Sequence, residues 1–255
     1  MRTVQDRKLL MPVLILSMAV SILTTSIPLQ AQLANAQQTV YQAYLDGDPS
    51  QWENGLQLWD TYQRSRTLTD KELYDLALAK YGLAGLYMAK EDKDRVATLL
   101  DETEVIAERL LKSRQFSVHA KALMGGLYGL KIGLSPAKAI FLGPKSLSYL
   151  KEALEEGPMV PAAWVEMGNA KYHSPALFGG SNDEAINCFQ QAVKLYDQKM
   201  TEKQYCWMYL HSLSWLGQAY ERDNDIPKAR ATYQKALRAA PGFRWIRDEL
   251  ILNLN

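Results

Sequence analysis

The chain has 255 residues, of which 47% are hydrophobic and 22% charged, and its formal net charge is +1. This globular composition excludes an intrinsically disordered chain, and the near-zero charge argues against nucleic acid as a partner. The length fits one or two domains.

The N-terminus has the pattern of a secretory signal peptide. A basic start precedes an apolar stretch over residues 9–29, and Ala34-Asn35-Ala36 supplies a small-x-small cleavage site. We therefore predict a mature bacterial protein that begins near Gln37 and is periplasmic or secreted. The alternative is an uncleaved anchor, since about 20 apolar residues can span a bilayer. In that case the chain would contact the membrane only through this segment.

Beyond this segment the sequence predicts a succession of helices, whose starts are marked by capping residues and by proline. The predicted starts are Asp48-Pro49, the capping box Thr69/Glu72 with the staple Leu68/Leu73, Ser135-Pro136, Gly143-Pro144, Ser181/Glu184, the box Thr201/Gln204 and Pro227. No alternating β-branched run of strand length stands out. The sequence therefore predicts an all-α fold.

The clearest repeated unit lies near the C-terminus. Its regularly spaced residues are Leu216, Gly217 and Tyr220, then Ala229, Tyr233 and Ala236, and finally Pro241. This pattern resembles the tetratricopeptide repeat, in which a glycine lets two helices approach closely and bulky rings fill the space between them. The resemblance implies a right-handed superhelical array of antiparallel helix pairs, which is an α-solenoid.

The preceding unit carries the same pattern with a longer turn. Its packing residues are Trp164, Gly168, Ala185, Phe189 and Ala192. Gly168 and Ala185 are 17 positions apart, against 12 for Gly217 and Ala229, so five residues are inserted. We predict that residues 175–180 form a loop outside the helix stack. A phosphate-binding loop is not indicated, because no strand precedes the glycines and no Lys-Ser/Thr follows them.

Earlier units match more loosely. Residues 118–158 place Gly125 or Gly126 at the close contact, with Leu150 and Ala153 on the second helix and Pro158 at the end. Terminal repeats are often atypical because one face lacks a neighbour. The predicted division is a signal peptide over 1–36, a helical region with degenerate repeats over 37–117, and the tetratricopeptide repeat region over 118–255.

A search for chemistry finds little. The three histidines are far apart and show no metal-binding spacing. Cys188 and Cys206 are read either as two buried thiols or, for an exported protein, as a disulfide. We therefore predict a non-enzymatic protein without catalytic residues, metal or cofactor.

The resemblance implies that the first helix of each pair lines a concave face on which a partner binds. The predicted contact residues are Asn169, Tyr172 and His173 beside Val165, and His211, Ser214, Gln218, Glu221 and Arg222 in the last repeat. Their mixture of polar, aromatic and charged groups suits an unidentified protein or peptide.

Two alternatives to this scaffold function stay open. The stretch over residues 175–193 also looks like the Gly-Gly insertion in the T component of TRAP-type transporters, which would imply an accessory part of a periplasmic solute transport system. An enzyme of unknown type is the other alternative. If the concave face is not the site, the inserted segments near Phe141 and Phe178 become the candidates.

Overall fold

The computed structural model describes residues 28–199 and 205–254, and these residues form α-helices with no strand. This confirms the all-α prediction. The helices are α1 Leu29–Asp46, α2 Pro49–Arg64, α3 Asp70–Ala89, α4 Lys93–Leu110, α5 Ser117–Leu134, α6 Ala139–Glu156, α7 Pro161–His173, α8 Asn182–Gln198, α9 Trp207–Arg222 and α10 Ile226–Ala239. Two 3₁₀ turns, Pro136–Lys138 and Ala176–Phe178, and a π-helical turn, Trp245–Leu250, complete the described elements.

Consecutive helices pack as antiparallel pairs, α1/α2 through α9/α10. The pairs stack through α4 against α5, α5 against α7, and α8 against α9. Repeating this step builds the right-handed superhelical array that the resemblance implied, with the odd-numbered helices on its inner side. Successive turns therefore alternate between the two ends of the helices.

Several helix starts are those that the sequence predicts. Asp48 accepts hydrogen bonds from the backbone N–H groups of Ser50 and Gln51, and Ser181 accepts one from Glu184. Thr69 and Glu72 form the reciprocal capping box. Each cap satisfies backbone donors that lack a partner within the helix. The Thr201/Gln204 box lies outside the described residues.

The predicted helix start at Gly143-Pro144 is wrong. Pro144 lies inside α6, which begins at Ala139 directly after the turn opened by Pro136. Pro144 is the sixth residue of α6, so its missing N–H removes the hydrogen bond that the Ile140 carbonyl would accept, and the helix continues past this loss. The inserted stretch therefore mostly lengthens helices, and it leaves Ile140 and Phe141 74% and 73% exposed.

The insertion between α7 and α8 is a compact loop outside the stack, as predicted. Leu177 and Phe178 are 88% and 65% exposed, so they are not core residues. Gly179 has φ of +85°, a conformation that favours glycine. A Cβ on Gly180 would lie 1.8 Å from the Ser174 carbonyl oxygen, so both glycines are required by this turn.

One hydrophobic core runs along the array from Val40 to Leu254. Its ends meet across the inner side, where the Tyr44 ring lies 5.3 Å from Trp207 and 5.1 Å from Phe243. The first helix pair thus contacts the last repeat through these rings.

The triplet Ala34-Asn35-Ala36, predicted as a cleavage site, lies within α1. Ala36 is fully buried in a cluster with Trp59 and Tyr62 of α2. Among the described residues, no helix is both long and apolar enough to cross a membrane.

Candidate functional site

The glycines of the last two repeats mark the closest helix contacts. A Cβ on Gly168 would lie 2.6 Å from the Phe189 ring, and one on Gly217 would lie 2.1 Å from the Tyr233 ring. The remaining predicted packing residues that are buried are Ala185, Ala192, Leu216, Tyr220, Ala229 and Ala236. Trp164 is half-buried and Pro241 is exposed. The predicted repeat register therefore matches the packing.

Both glycines of the earlier unit are close contacts, where the sequence left a choice between them. A Cβ on Gly125 would meet Leu150 of α6 at 2.4 Å. One on Gly126 would meet Glu166 at 2.5 Å and the Tyr81 hydroxyl at 2.6 Å. Gly125 thus serves the pair α5/α6, and Gly126 lets α3 and α7 approach the inner side of α5.

Four rings from α7 and α9 form what we call the inner aromatic cluster: Tyr172, His173, His211 and Trp215. The Trp215 ring lies 5.1 Å from Tyr172, 4.6 Å from His173 and 6.0 Å from His211. Edge-to-face contacts of this kind are favourable for aromatic rings. The structure therefore joins three residues that the sequence assigned to the concave face in two separate repeats.

Arg222 extends this cluster. Its guanidinium lies 3.4 Å over the Tyr172 ring centroid, and Nη1 donates a hydrogen bond of 2.7 Å to the Tyr172 carbonyl oxygen. Gln218 is half-buried and donates to the Ser214 carbonyl at 3.5 Å. Glu221 accepts a hydrogen bond from the Tyr233 hydroxyl. Arg222 thus presents a positive charge beside the rings, whereas Glu221 supports helix pairing.

Two residues assigned to the concave stripe are fully buried. Ser214 is 0% exposed, and its hydroxyl donates to the Leu210 carbonyl within α9. Val165 is also 0% exposed. Ser214 lies about 100° away around the helix from its neighbour Trp215, and it faces the packed interior rather than the open side. It is therefore not a contact residue in this conformation.

Trp215 is the functional candidate that the sequence reading missed. His211, Trp215, Gln218 and Arg222 follow the spacing i, i+4, i+7 and i+11, which is one helical face. That spacing could have identified it. The indole Nε1 of Trp215 is buried and has no hydrogen-bond partner among the described residues. An unpaired buried donor is costly, so this atom marks a place where a ligand acceptor would be favourable.

Both histidines of the cluster are held neutral near pH 7. Burial lowers the pKa of His211 to about 3, with a smaller contribution from His173. Burial also lowers the pKa of His173, and the Arg222 cation acts in the same direction. His173 is exposed at its outer edge while its ring packs on Trp215. The cluster is therefore an aromatic surface whose only cation is Arg222.

Asn169 lies beside the cluster but serves a buried carboxyl group. Its Nδ2 donates to Glu166 at 3.1 Å, and the Tyr81 hydroxyl donates to the same oxygen at 2.9 Å. Burial raises the pKa of Glu166 to about 7, although both hydrogen bonds favour the charged form. The Asn169 Oδ1 is buried without a partner in the described structure. Glu166 thus joins α3 to α7 and is not itself accessible.

Nothing among the described residues supports metal chemistry. No group of three or more His, Cys, Asp or Glu is placed to hold an ion within them. Cys188 and Cys206 are both free, which excludes the disulfide in this conformation. Burial raises the pKa of each thiol to about 11, so neither is an activated nucleophile.

The family model described as tetratricopeptide repeat matches residues 210–243, which cover most of α9, all of α10 and the turn after them. Two of the packing residues in this span, Gly217 and Tyr233, form the closest helix contact of the last repeat. Residues 210–243 therefore contain a tetratricopeptide repeat, and the rest of the chain continues the same arrangement of helix pairs.

Solved structures of this type are similar to the chain. A thermophilic tetratricopeptide repeat protein from Thermus thermophilus is 20% identical with a TM-score of 0.56, over 85% of this chain and 95% of the other. MamA of Desulfovibrio magneticus is also 20% identical, over 81% of this chain and 94% of MamA, with a TM-score of 0.35. No curated protein matches the sequence significantly. A helical-repeat scaffold that supports protein interaction is the function that this fold indicates.

Proposed function

We propose that this repeat protein binds a protein partner through the inner aromatic cluster. The observation that carries the proposal is the buried Trp215 Nε1, which has no acceptor among the described residues although it lies between half-exposed rings. A partner that displaces one of the neighbouring rings would bring a carbonyl group to this donor, and the remaining rings would bury an adjacent apolar side chain. Tryptophan, tyrosine and arginine are the residues that most often dominate binding energy at protein interfaces.

The chemistry of the cluster limits the partner. The imidazoles of His173 and His211 are neutral at pH 7, so the surface offers rings and one guanidinium rather than a basic clamp. We expect an extended peptide segment with a bulky apolar side chain. An acidic group beside that side chain would face Arg222. This surface is not suited to a polyanion, and the exclusion of nucleic acid stays a prediction.

Removing single atoms of the cluster tests the proposal. Trp215→Phe deletes the indole N–H and keeps a ring, whereas Lys194→Ala changes an exposed residue on α8. Photo-cross-linking from position 218 followed by mass spectrometry would identify the partner, and its affinity would then be measured for both variants. We expect about a fivefold loss for Trp215→Phe, because one hydrogen bond contributes about 1 kcal/mol, and no change for Lys194→Ala. Normal binding by a folded Trp215→Phe and a folded Trp215→Ala would place the partner elsewhere.

The proposal includes export, with one revision of the sequence prediction. Cleavage after Ala36 would remove the first two turns of α1, including Leu33 and the buried Ala36. We propose that these turns are retained, either because the signal is cut before α1 or because residues 9–29 stay as an anchor. N-terminal sequencing of the protein from membrane and periplasmic fractions would decide this. A start at Gln37 would contradict retention.

The transporter accessory function is kept as a second candidate because of one observation. Leu177 and Phe178 project from the inserted turn with most of their surface exposed, and this is the segment that resembles the T component. If a solute-binding protein is recovered by cross-linking from position 177 and not from position 218, the accessory function replaces the first proposal. The prediction that the protein is not an enzyme would be overturned by a reproducible turnover in purified material.

A further inference from the structure

Five basic side chains lie at one end of the solenoid: Arg64, Arg66, Arg109, Lys112 and Arg114. They occupy the end of α2, the last turn of α4 and the segments that lead into α3 and α5. All five are exposed. They come together because successive helices are antiparallel, which brings alternate turns to the same end.

The start of α1 lies at this same end. Leu33 in the second turn of α1 packs in one hydrophobic cluster with Leu68 and Leu73, which flank the start of α3. Leu110 and Phe116 from the α4–α5 connection belong to the same cluster. The sequence that precedes α1 therefore enters the fold next to the basic residues.

Three of the arginines, Arg64, Arg66 and Arg109, surround an open depression of ≈ 520 Å³ that also exposes the hydroxyl groups of Ser65 and Thr67. Arg66 lies 3.4 Å from Glu72. No hydrogen bond or ion pair joins the side chains of Arg64 and Arg109 to any other described residue. These two guanidinium groups are therefore available to an external anion.

At the α2–α3 and α4–α5 connections the five basic side chains outnumber the exposed acidic ones, whereas Glu155 and Glu156 lie farther along this end, where Glu156 pairs with Lys121. Asp70 and Glu108 are exposed near the basic side chains. Glu72 is engaged by the Tyr62 hydroxyl and by the capping box. The opposite end has the reverse character at its first two turns, where Asp46, Asp48, Glu91, Asp92 and Asp94 accompany Lys90 and Lys93.

We propose that the basic end docks onto an anionic phospholipid bilayer in which the apolar stretch 9–29 is anchored. This rests on the proposed export and on retention of that stretch. An anchored stretch 9–29 would hold the basic end close to the bilayer surface, because α1 begins at Leu29, where that stretch ends. Basic residues within a Debye length of anionic lipid each strengthen binding by about fivefold. The depression accepts a headgroup phosphate between Arg64 and Arg109.

The full chain reconstituted in nanodiscs tests this orientation. A fluorophore is attached at Ser65→Cys on the basic end, or at Ala176→Cys on the opposite end, and a headgroup spin-labelled lipid serves as quencher. Cys188 and Cys206 react slowly with the label because burial raises the pKa of both thiols to about 11. We expect quenching at position 65 and not at 176 when the discs contain equal parts of phosphatidylcholine and phosphatidylglycerol. The quenching should disappear in phosphatidylcholine alone and at high salt.

A charge-matched pair of variants completes the test. Arg64→Gln/Arg109→Gln/Arg114→Gln should weaken docking by about hundredfold, since three basic contacts are lost. Lys90→Gln/Lys93→Gln/Lys138→Gln removes the same charge from the opposite end and should leave the quenching unchanged. Equal quenching in both lipid mixtures, quenching at position 176, or an equal response of both variants would overturn the proposal. A response at position 65 to inorganic phosphate alone, without a response to the bilayer, would reduce the depression to a small-anion site. Partner binding at the inner aromatic cluster is measured separately, so failure here does not bear on that proposal.

Discussion

The first helix pair and the last repeat each bring two helices close together at a glycine, but the glycine lies on a different helix of the pair in each. In the last repeat the glycine, Gly217, is on the first helix and faces the Tyr233 ring of the second. In the first pair the glycine, Gly55, is on the second helix, and a Cβ there would lie 2.7 Å from Val40 of the first. Close approach of two helices needs a small residue on one side and a large one on the other, and either side can supply it. A consensus pattern detects only one of the two arrangements.

The largest expected effect tests the last repeat. Gly217→Leu places side-chain atoms where Tyr233 already lies, and even the Cβ of alanine would lie 2.1 Å from that ring. We expect unfolding or a loss of about 3 kcal/mol, at the upper end of typical overpacking. Circular-dichroism melts would measure it. Gly85→Ala is the control, because nothing lies within 4 Å of its Cβ position, and it should gain about 0.5–1 kcal/mol. Equal melts for the two variants would contradict the register.

A second prediction concerns Glu166, which joins the N-terminal half to the C-terminal repeats through Tyr81. Its pKa is raised by burial to about 7, above that of an exposed carboxyl group. The folded state therefore binds the proton more tightly, so the contribution of Glu166 to stability is fully present below about pH 4.5 and is lost as pH rises to about 7. Tyr74 and Tyr196 also lie within electrostatic range of the carboxylate, and neither is a cation.

Between pH 4.5 and pH 9 this group should lower the free energy of unfolding by about 3 kcal/mol. Glu166→Gln should remove that dependence, and urea titrations across this range would show it. His211 acts with the opposite sign below pH 6.5, because its lowered pKa makes protonation unfavourable in the folded state. Because His211 is present in both proteins, the difference in free energy of unfolding between the parent and Glu166→Gln isolates the carboxyl group. A difference that stays constant between pH 4.5 and pH 9 would show that Glu166 is not the cause.

A third prediction tests the first pair directly. Gly55→Ala should cost about 1–3 kcal/mol, because the new methyl group meets Val40 Cγ2 at 2.7 Å. Adding Val40→Ala should recover part of that loss by freeing the space. Thermal melts of the two single variants and the double variant form a cycle that measures the coupling. Additive losses would show that the two residues do not share one contact, and the proposed symmetry with the last repeat would fail.

The smallest expected effect concerns the inserted turn. Leu177→Ser and Phe178→Ser remove side chains that are 88% and 65% exposed, so thermal stability should stay within about 0.5 kcal/mol of the parent. Phe189→Ser is the contrast, since Phe189 is fully buried against Gly168 and its loss should cost about 3–5 kcal/mol. A large loss from the Leu177 and Phe178 changes would mean that the turn packs against the stack.

The sequence by itself determined the helical class, the last two repeats and the inserted turn. These features depend on residues within about 34 positions of one another, and their chemistry is local: a proline or a capping side chain starts a helix, and a regularly spaced glycine sets a close contact. A proline can start a helix or lie within one, and this local ambiguity made the predicted helix start at Pro144 wrong, because Pro144 lies inside α6.

Only the tertiary structure decided which side chains are accessible. Ser214 and Trp215 are adjacent in sequence, and the first is buried while the second lies in the inner aromatic cluster, because the position of the neighbouring helices fixes which face of α9 is covered. The contact of Tyr44 with Trp207 joins residues far apart in the chain, and the repeat pattern alone does not predict it. The gathering of Arg64, Arg109 and Arg114 at one end likewise follows from antiparallel packing. The periodicity of the sequence sets which face of each helix is apolar, whereas the packing of the neighbouring helices sets which residues of that helix are buried.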